Sequence, residues 1–224
     1  MRWLAATAVL LLVACDSAPH VAARVDDGVL RVVVIGDSVA HGAGDERRGG
    51  IAAVLQRALP NGDVRNLGID GARTANVLAL LARNDAQAAI AQADVVVLSI
   101  GGNDLYGDSF AQLLSGVAPV LQQRRVVARV GNVINRLHEL NPDARVLLLG
   151  LYNPYRHSTR AAWLERQVNL WDARVIARFA GDRQVTVLRI CDLLDRDDRI
   201  STIDRFHPGM RGYEAIAMRV ATAL

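Results

Sequence analysis

A chain of 224 residues, of which 51% are hydrophobic and 22% are charged, has the size and composition of a single globular domain. Its net charge of +3 arises from arginines interspersed with acidic residues, so there is no basic tract and no reason to expect a nucleic-acid partner. The two cysteines, Cys15 and Cys191, are too few and too far apart for a disulfide framework or a four-ligand zinc site.

Residues 1–14 are predicted to be a signal peptide. Arg2 precedes an uncharged stretch, Trp3–Ala14, that is shorter than the roughly 20 apolar residues a membrane-spanning helix needs. The stretch ends in LVAC, which resembles the lipobox of bacterial lipoproteins, so Cys15 is the expected lipidation site and residues 15–28 the tether. An ordinary signal peptide, or an apolar segment that ends in cysteine by chance, is the alternative. We therefore expect an exported lipoprotein, held by its lipid on the periplasmic side of a membrane or at the cell surface.

From residue 29 to 224, short β-branched runs alternate with longer amphipathic segments, which predicts one α/β domain around a parallel sheet. Runs such as VVVI and VVVLSI are apolar on both faces, as expected when helices cover both sides of the sheet. The predicted strands are Arg31–Ile35, Asp63–Leu67, Val95–Ile100, Arg145–Leu149 and Gln184–Leu188. The predicted helices are Gly50–Leu59, Thr74–Gln92, Pro119–Leu140, Thr159–Ala180 and Pro208–Leu224.

Residues able to carry chemistry follow four of the predicted strands. They are Ser38 after the first, Gly71 after the second, Asn103 after the third, and Asp204 and His207 after the fifth. Ligands bind beyond the carboxyl ends of the strands in open α/β sheets, so we expect these loops to meet at one edge. A hydroxyl, a permissive backbone position, a carboxamide and an Asp/His pair are the parts needed for acyl transfer through a covalent intermediate.

The spacing of these residues suits that chemistry. A serine between a strand and a helix can expose its hydroxyl, and a neutral histidine is a suitable base for it near pH 7. Asp204 lies three residues before His207, so its carboxylate can return to Nδ1 of the same imidazole within one turn. Each signal is weak alone, because GDS can simply end a strand, a loop glycine can serve a turn, and Asn103 can cap a helix.

The segments GDSVAHG, NLGIDGA, GGND and DRFHPG together resemble the four sequence blocks of the SGNH hydrolases, also called GDSL esterases and lipases. The resemblance runs from about Arg31 to the C-terminus and implies a flavodoxin-like, three-layer α/β/α sandwich. It implies a catalytic triad of Ser38, Asp204 and His207. It also implies an oxyanion hole formed by the N–H of Ser38, the N–H of Gly71 and the side-chain amide of Asn103.

One position departs from the family pattern, and at another the matching glycine has two candidates. Val39 stands where the family has the leucine of its four-letter name, which is a mild aliphatic exchange. Gly71 fits the glycine block because it follows Asn66 by five residues, and Gly68 is the alternative.

The residues of the first glycine-rich loop do not match the other motifs that such a loop could represent. Gly42, Gly44 and Arg47 give G-x-G-x-x-R, without the third glycine of a dinucleotide-binding loop, and no G-K-[ST] follows to form a P-loop. Ala40 occupies the last glycine position of the G-x-S-x-G elbow found in α/β-hydrolases. Since there is also no HExxH motif or clustered Cys/His set, we expect neither a cofactor nor a catalytic metal.

Aromatic residues are scarce, at 4% of the chain, yet several fall in or beside the loops at the expected active edge. Aromatic side chains there suit an apolar or stacking pocket, and they equally suit loops that pack on one another. His41 and His157 lie in loops at the same edge and are further candidates. The aromatic candidates for substrate contact are Tyr106, Tyr152, Tyr155 and Phe206.

These observations predict a serine esterase that cleaves lipid, aryl or acetylated-carbohydrate esters through an acyl-enzyme. An acyltransferase that uses the same triad is one alternative, because another alcohol can replace water in the second step. A non-catalytic lipoprotein that binds envelope components is the other, although such a protein has no need of a complete triad. The oligomeric state stays open.

Overall fold

The structure is a computed structural model that describes residues 27–47, 49–106 and 119–224. The predicted signal peptide, Cys15 and the tether before residue 27 lie outside the described residues. The strands are β1 (Arg31–Gly36), β2 (Asp63–Gly68), β3 (Val95–Ser99), β4 (Arg145–Leu149) and β5 (Val185–Leu188). They form one sheet in the order β2-β1-β3-β4-β5 with every neighbouring pair parallel, which is the flavodoxin-like order. The predicted parallel sheet is confirmed.

Helices follow the strands and account for most of the remaining described chain. They are α1 (Ser38–His41), α2 (Gly50–Ala58), α3 (Thr74–Leu80), α4 (Asn84–Ala91), α5 (Gly102–Tyr106), α6 (Pro119–Leu140), α7 (Ala161–Phe179) and α8 (Met210–Thr222). Two short 3-10 turns, Cys191–Leu193 and Asp197–Arg199, lie between β5 and α8. Within the described ranges, no helix combines the length and apolarity needed to cross a bilayer.

Alternation along the strands divides the interior into two cores. On β1, Val33 and Ile35 pack with α3, α4, α6 and α7 on one face of the sheet. Val32 and Val34 pack with α1, α2 and α8 on the other face. Because both faces are covered, the four central residues of β1, Val32 to Ile35, are all apolar and buried, and the three-layer α/β/α prediction is confirmed.

The helix predicted over Thr74–Gln92 is wrong in one respect, because the chain forms two helices there. At the end of α3, the N–H groups of Ala82 and Arg83 donate to carbonyls three residues back, at 3.2 and 3.0 Å, which tightens and ends the helix. The Gln87 side chain donates to the freed Leu81 carbonyl at 3.2 Å. Arg83 then adopts an extended conformation and α4 begins.

The carboxyl ends of β1 and β3 approach each other unusually closely. Gly36 has a φ of +137°, and a Cβ on it would lie 1.8 Å from the Ser99 carbonyl oxygen. Only glycine fits this position, because any side chain would force the two strand ends apart. The residue that follows, Asp37, donates its N–H to the same Ser99 oxygen at 2.9 Å. The loop after β1 is thereby fixed directly to the end of β3.

Candidate active site

Ser38 lies at the carboxyl edge of the sheet as the first residue of the single-turn helix α1. Asp37 caps this helix, because its carboxylate accepts the N–H of Val39 at 3.1 Å. Gly42 ends the helix in a left-handed conformation with a φ of +97°. The side chain of Ser38 is therefore held in a short, capped turn, and the residue is 8% exposed.

Ser38, His207 and Asp204 form a continuous hydrogen-bonded chain. His207 Nε2 lies 2.9 Å from Ser38 Oγ, and His207 Nδ1 lies 2.7 Å from Asp204 Oδ2. The other carboxylate oxygen of Asp204 accepts the backbone N–H groups of Phe206 at 2.9 Å and His207 at 3.0 Å. The structure thus brings these three side chains together, although Ser38 and His207 are 169 positions apart in the sequence.

Asp204 has the electrostatic setting of an ionised partner for an imidazole. Partial burial opposes its ionisation, but the hydrogen bonds from His207 and from the Phe206 N–H outweigh it and lower the pKa of the Asp204 carboxyl. A carboxylate held in this way orients the ring and stabilises an imidazolium when Nε2 takes up a proton.

The loop that carries Asp204 and His207 is attached to the rest of the domain by Glu46. One oxygen of its carboxylate accepts the N–H of Thr202 at 3.0 Å and the Thr202 hydroxyl at 3.1 Å, and the other accepts the N–H of Met210 at 2.8 Å. Burial raises the pKa of Glu46, but these hydrogen bonds together outweigh burial, so the pKa of the carboxyl is lowered. Glu46 therefore fixes both ends of the histidine loop.

Asn103 lies in the first turn of α5, and its side chain lines the same cleft as Ser38. Its amide donates one hydrogen bond to the Ala72 carbonyl at 3.0 Å, which leaves its second N–H without a partner among the described residues. The backbone N–H groups of Ser38 and Gly71 also have no acceptor within the described part of the chain. These three donors are the ones that the family resemblance implies for an oxyanion hole.

Asp104 holds the Asn103 helix against the loop that contains Gly71. Its carboxylate accepts the N–H of Thr74 at 2.9 Å and the Thr74 hydroxyl at 2.6 Å, and the side chain is only 3% exposed. Since Thr74 begins α3, this contact joins the loops that follow β2 and β3.

Gly68 and Gly71 differ in what their N–H groups do. The N–H of Gly68 donates to Asn66 Oδ1 at 2.8 Å and so is occupied. A Cβ on Gly68 would lie 2.2 Å from the His41 nitrogen, which gives this glycine a packing reason instead. Gly71 has a φ of +71° and no heavy atom near its missing Cβ. It does not line the cleft itself but immediately precedes Ala72, the residue that Asn103 contacts.

Asp37 is a buried carboxyl directly beside the nucleophile candidate. Besides capping α1, its Oδ1 accepts the Ser99 hydroxyl at 2.8 Å. Burial raises the pKa of Asp37 to about 6, although the hydrogen bonds from Ser99 and the Val39 N–H favour the ionised form. Asp37 therefore connects the serine turn to β3 through a group that titrates near neutral pH.

Of the aromatic candidates for substrate contact, Tyr152 and Phe206 line the cleft. The Tyr152 hydroxyl donates to the Phe206 carbonyl at 2.9 Å, and the Phe206 ring packs edge-on against His207 at 4.8 Å between centroids. The Tyr155 ring packs edge-on against the Phe206 ring at 5.6 Å between centroids, and Tyr155 does not line the cleft. Tyr106 ends α5, and its side chain lies outside the described part.

The prediction that His41 lies in a loop is wrong, because His41 is the last residue of α1. Both His41 and His157 have polar partners, and neither residue lines the cleft. His41 Nδ1 lies 3.2 Å from the Gly68 carbonyl, and His157 Nε2 lies 2.8 Å from Asp197 Oδ1.

The cleft at Ser38 is small and mostly apolar. Its volume is about 60 Å³, and its apolar wall includes Val39, Leu151, Ile190 and Phe206. Within the described ranges, no group of three or more His, Cys, Asp or Glu residues is placed to hold a metal ion.

Sequence reasoning missed several residues that position the site. Asp37 and Asp104 stand inside the GDS and GGND motifs, so their place in the motifs could have singled them out. Glu46 and Ser99 carry no such signal, because their partners are 156 and 62 positions away along the chain.

Comparison with known proteins places this geometry in a family. The uncharacterized protein YpmR of Bacillus subtilis is 29% identical over 207 residues, which cover 86% of this chain and 80% of YpmR. The lipase Lip_vut3 from a goat rumen metagenome has the same fold, with a TM-score of 0.73 at 22% identity over 87% of this chain and 97% of that one. Phospholipase A1 from Streptomyces albidoflavus gives 0.67 at 18% identity, over 88% and 100% of the two chains.

A catalytic mutant of the acetylxylan esterase Axe2 from Geobacillus stearothermophilus also shares the fold, with a TM-score of 0.62 at 19% identity over 86% of this chain and 93% of that one. The model of the GDSL-like lipase/acylhydrolase family matches residues 34–215, a span that contains every residue of the site described above. The chain therefore belongs to the GDSL-like lipase/acylhydrolase family of carboxylic ester hydrolases, which confirms the resemblance found in its sequence.

Proposed function

We propose that the protein hydrolyses carboxylic esters through an acyl-enzyme formed on Ser38. The observation that carries this proposal is the hydrogen-bonded chain from Ser38 Oγ through His207 to Asp204, with links of 2.9 and 2.7 Å. A serine hydroxyl is a weak nucleophile until a base accepts its proton, and His207 Nε2 lies at hydrogen-bond distance for that transfer.

The proposed reaction has two steps that share one set of groups. Ser38 Oγ attacks the ester carbonyl carbon while its proton passes to His207 Nε2, and the tetrahedral intermediate then expels the alcohol, which takes that proton. Water next attacks the acyl-serine and gives its proton to His207, and the acid leaves as Ser38 recovers its hydrogen. Asp204 keeps the imidazole oriented in both steps.

Negative charge develops on the carbonyl oxygen in each step. We assign its stabilisation to the Ser38 N–H, the Gly71 N–H and the unpartnered N–H of the Asn103 amide. The support is that each of these donors lacks an acceptor in the described part of the chain. Preformed donors of this kind stabilise a transition state because they need no reorganisation as the charge appears.

We further propose that the preferred acyl group is short. The cleft at the nucleophile has a volume of about 60 Å³ and an apolar wall, which suits an acetyl group or one slightly longer. The similar solved structures include both a phospholipase and an acetylxylan esterase, so similarity favours neither kind of alcohol.

The catalytic proposal is tested by labelling with a fluorophosphonate and mapping the modified peptide by mass spectrometry. Wild type should be labelled at Ser38, and Ser38→Ala should not be labelled. Ser158→Ala is the matched control, because its hydroxyl is buried without a hydrogen-bond partner among the described residues and should not affect labelling. A folded wild-type protein that resists labelling would favour a non-catalytic binding protein.

The acyl-group proposal is tested with p-nitrophenyl esters of increasing chain length. We expect kcat/KM to be highest for acetate to butyrate and to fall beyond that length. A maximum at eight or more carbons would contradict the volume argument. Product analysis with an added alcohol separates hydrolysis from acyl transfer, because transfer would yield a new ester.

We also propose, from the sequence alone, that the protein is exported and lipidated at Cys15. In the bacterial host, wild type should fractionate with membranes, and Cys15→Ala should be released in soluble form. Mass spectrometry of the mature N-terminus should show an acylated Cys15, and an unmodified N-terminus at another residue would refute the proposal.

A further inference from the structure

A second and larger cavity lies next to the catalytic cleft. It has a volume of about 360 Å³, within the range of about 300 to 1,000 Å³ usual for small-molecule sites. The loop after β4 forms one side and the loop between β5 and α8 the other, and Pro154 lines both this cavity and the catalytic cleft. We call it the side cavity.

The side cavity and the histidine share one loop. Arg205 lines the side cavity and lies between Asp204 and His207 in the sequence. Those two residues are hydrogen-bonded to each other in the triad with Ser38. The Arg205 N–H donates to the Ser201 carbonyl at 3.0 Å, and the Ser201 N–H donates to the His207 carbonyl at 2.9 Å. The loop that carries the imidazole therefore also forms part of the wall of the side cavity.

The charged side chains of the side cavity are not balanced. Arg156 and His157 both contact the same oxygen of Asp197, with His157 at 2.8 Å. Arg205 also lines the cavity, and its guanidinium makes no hydrogen bond or ion pair with any residue that the structure describes. Among the described residues of the lining, Asp197 is the one carboxylate against two guanidiniums and an imidazole.

Arg205 occupies an unfavourable backbone conformation for an arginine. Its φ is +53°, and it is the one non-glycine residue with a positive φ in the described ranges. Glycine or asparagine adopts this conformation more easily, because a longer side chain crowds the neighbouring backbone. The loop therefore accepts strain at the residue that brings an unpaired guanidinium to the cavity.

We propose that the side cavity binds an anionic group, a phosphate or a carboxylate, carried by the alcohol part of the ester substrate. Guanidinium groups bind these anions through paired, charge-assisted hydrogen bonds. The assignment to the alcohol rests on the proposed function, in which His207 gives its proton to the leaving alcohol. That alcohol must then lie near His207, whose loop contributes Arg205 to the side cavity.

The test compares two esters that differ by one phosphate, 1-acetylglycerol 3-phosphate and 1-acetylglycerol. Wild type should prefer the phosphorylated ester by about tenfold or more in kcat/KM, as expected for a charge-assisted hydrogen bond in a partly exposed site. Arg205→Gln should lose most of that preference, mainly through a higher KM for the phosphorylated ester. Its kcat/KM for 1-acetylglycerol should fall much less than its kcat/KM for the phosphorylated ester.

Arg183→Gln is the matched control. Arg183 is an exposed arginine that precedes β5, so it lies at the opposite edge of the sheet, and the variant should retain the full preference. If Arg205→Gln slows both esters equally, Arg205 serves only to shape the histidine loop and the proposal fails. The proposal also fails if wild type shows no preference between the two esters.

A binding measurement separates this proposal from the catalytic one. Inorganic phosphate should bind Ser38→Ala in calorimetry and should bind the double variant Ser38→Ala/Arg205→Gln about tenfold more weakly. This expectation holds even if ester hydrolysis is never observed. If Ser38→Ala does not bind phosphate, or if the double variant binds it equally well, the side-cavity proposal alone is overturned. Sodium acetate in place of phosphate reports the affinity for a carboxylate.

A final arm identifies the source of the anion. The long-chain ester 1-palmitoylglycerol 3-phosphate, presented in neutral detergent micelles, is compared with its acetyl counterpart. Faster turnover of the palmitoyl ester, lost in Arg205→Gln, assigns the side cavity to a lipid headgroup. Faster turnover of the acetyl ester, lost in the same variant, assigns it to a soluble substrate.

Discussion

Replacing Asp37 with asparagine should change the pH dependence of stability in a direction that the structure fixes. Asp37 is 5% exposed, and its Oδ1 accepts both the Ser99 hydroxyl and the Val39 N–H. Asn at this position keeps an acceptor oxygen for both donors but cannot ionise. The substitution therefore removes the titration while preserving the cap of α1 and the link to β3.

The size of the effect follows from the pKa of the folded carboxyl. Burial raises the pKa of Asp37 from 3.8 to about 6, so the folded protein binds this proton more tightly than the unfolded chain. At about 1.4 kcal/mol for each pKa unit, the protonated carboxyl stabilises the fold by about 3 kcal/mol relative to the ionised one. This contribution is fully present below pH 3.8 and is lost as the pH rises through about 6.

The measurement is urea unfolding of wild type and Asp37→Asn at several pH values. The free energy of unfolding of Asp37→Asn relative to wild type should rise by about 2 kcal/mol between pH 4.5 and pH 7. Asp85→Asn is the control, because the hydrogen bond from Arg83 lowers the pKa of this exposed carboxyl and it stays ionised throughout that range. A pH-independent difference for Asp37→Asn would refute the reasoning.

Three further predictions concern the site and its support. Asn103→Ala should lower kcat about 10²- to 10³-fold. Normal turnover with a lowered melting temperature would show that Asn103 only stabilises the loop. Glu46→Ala removes the acceptor of three hydrogen bonds, so steady-state kinetics and urea unfolding should show kcat about tenfold lower and about 1 to 2 kcal/mol less stability. Glu139→Ala, at an exposed ion pair, should stay near wild type in both. Gly36→Ala should unfold the protein or destabilise it by more than about 4 kcal/mol in the same urea assay, whereas Gly181→Ala, where a Cβ meets nothing within 4 Å, should change stability little.

The centre of the sheet was predictable because β1, β3 and β4 each contain a compact run of apolar residues between polar segments. The predicted Arg145–Leu149 agrees with β4 at both ends, since its neighbours are a loop and a glycine. The break between α3 and α4 could not be predicted in the same way. Val77, Leu80 and Ile90 are all buried in one core, so the helical pattern of apolar residues continues across the break.

The candidate site was predictable where its residues lie in short motifs and unpredictable where distant segments meet. Ser38 and His207 are apparent because each stands in a recognisable block at the end of an apolar run. Glu46 looks like any acidic residue of a loop, and its role depends on Thr202 being folded against it from 156 positions away. The side cavity likewise depends on two loops whose charges have no common sequence pattern.

The close contact between Gly36 and Ser99 also determines how the site can come apart. It fixes the turn of Ser38 to the centre of the sheet, whereas the His207 loop is held near the surface by Glu46. Local opening should therefore release the base while the nucleophile stays in place. In native-state hydrogen exchange, the Met210 amide should exchange at a lower opening free energy than the Asp37 amide, so the fold can lose its activity reversibly without losing its sheet.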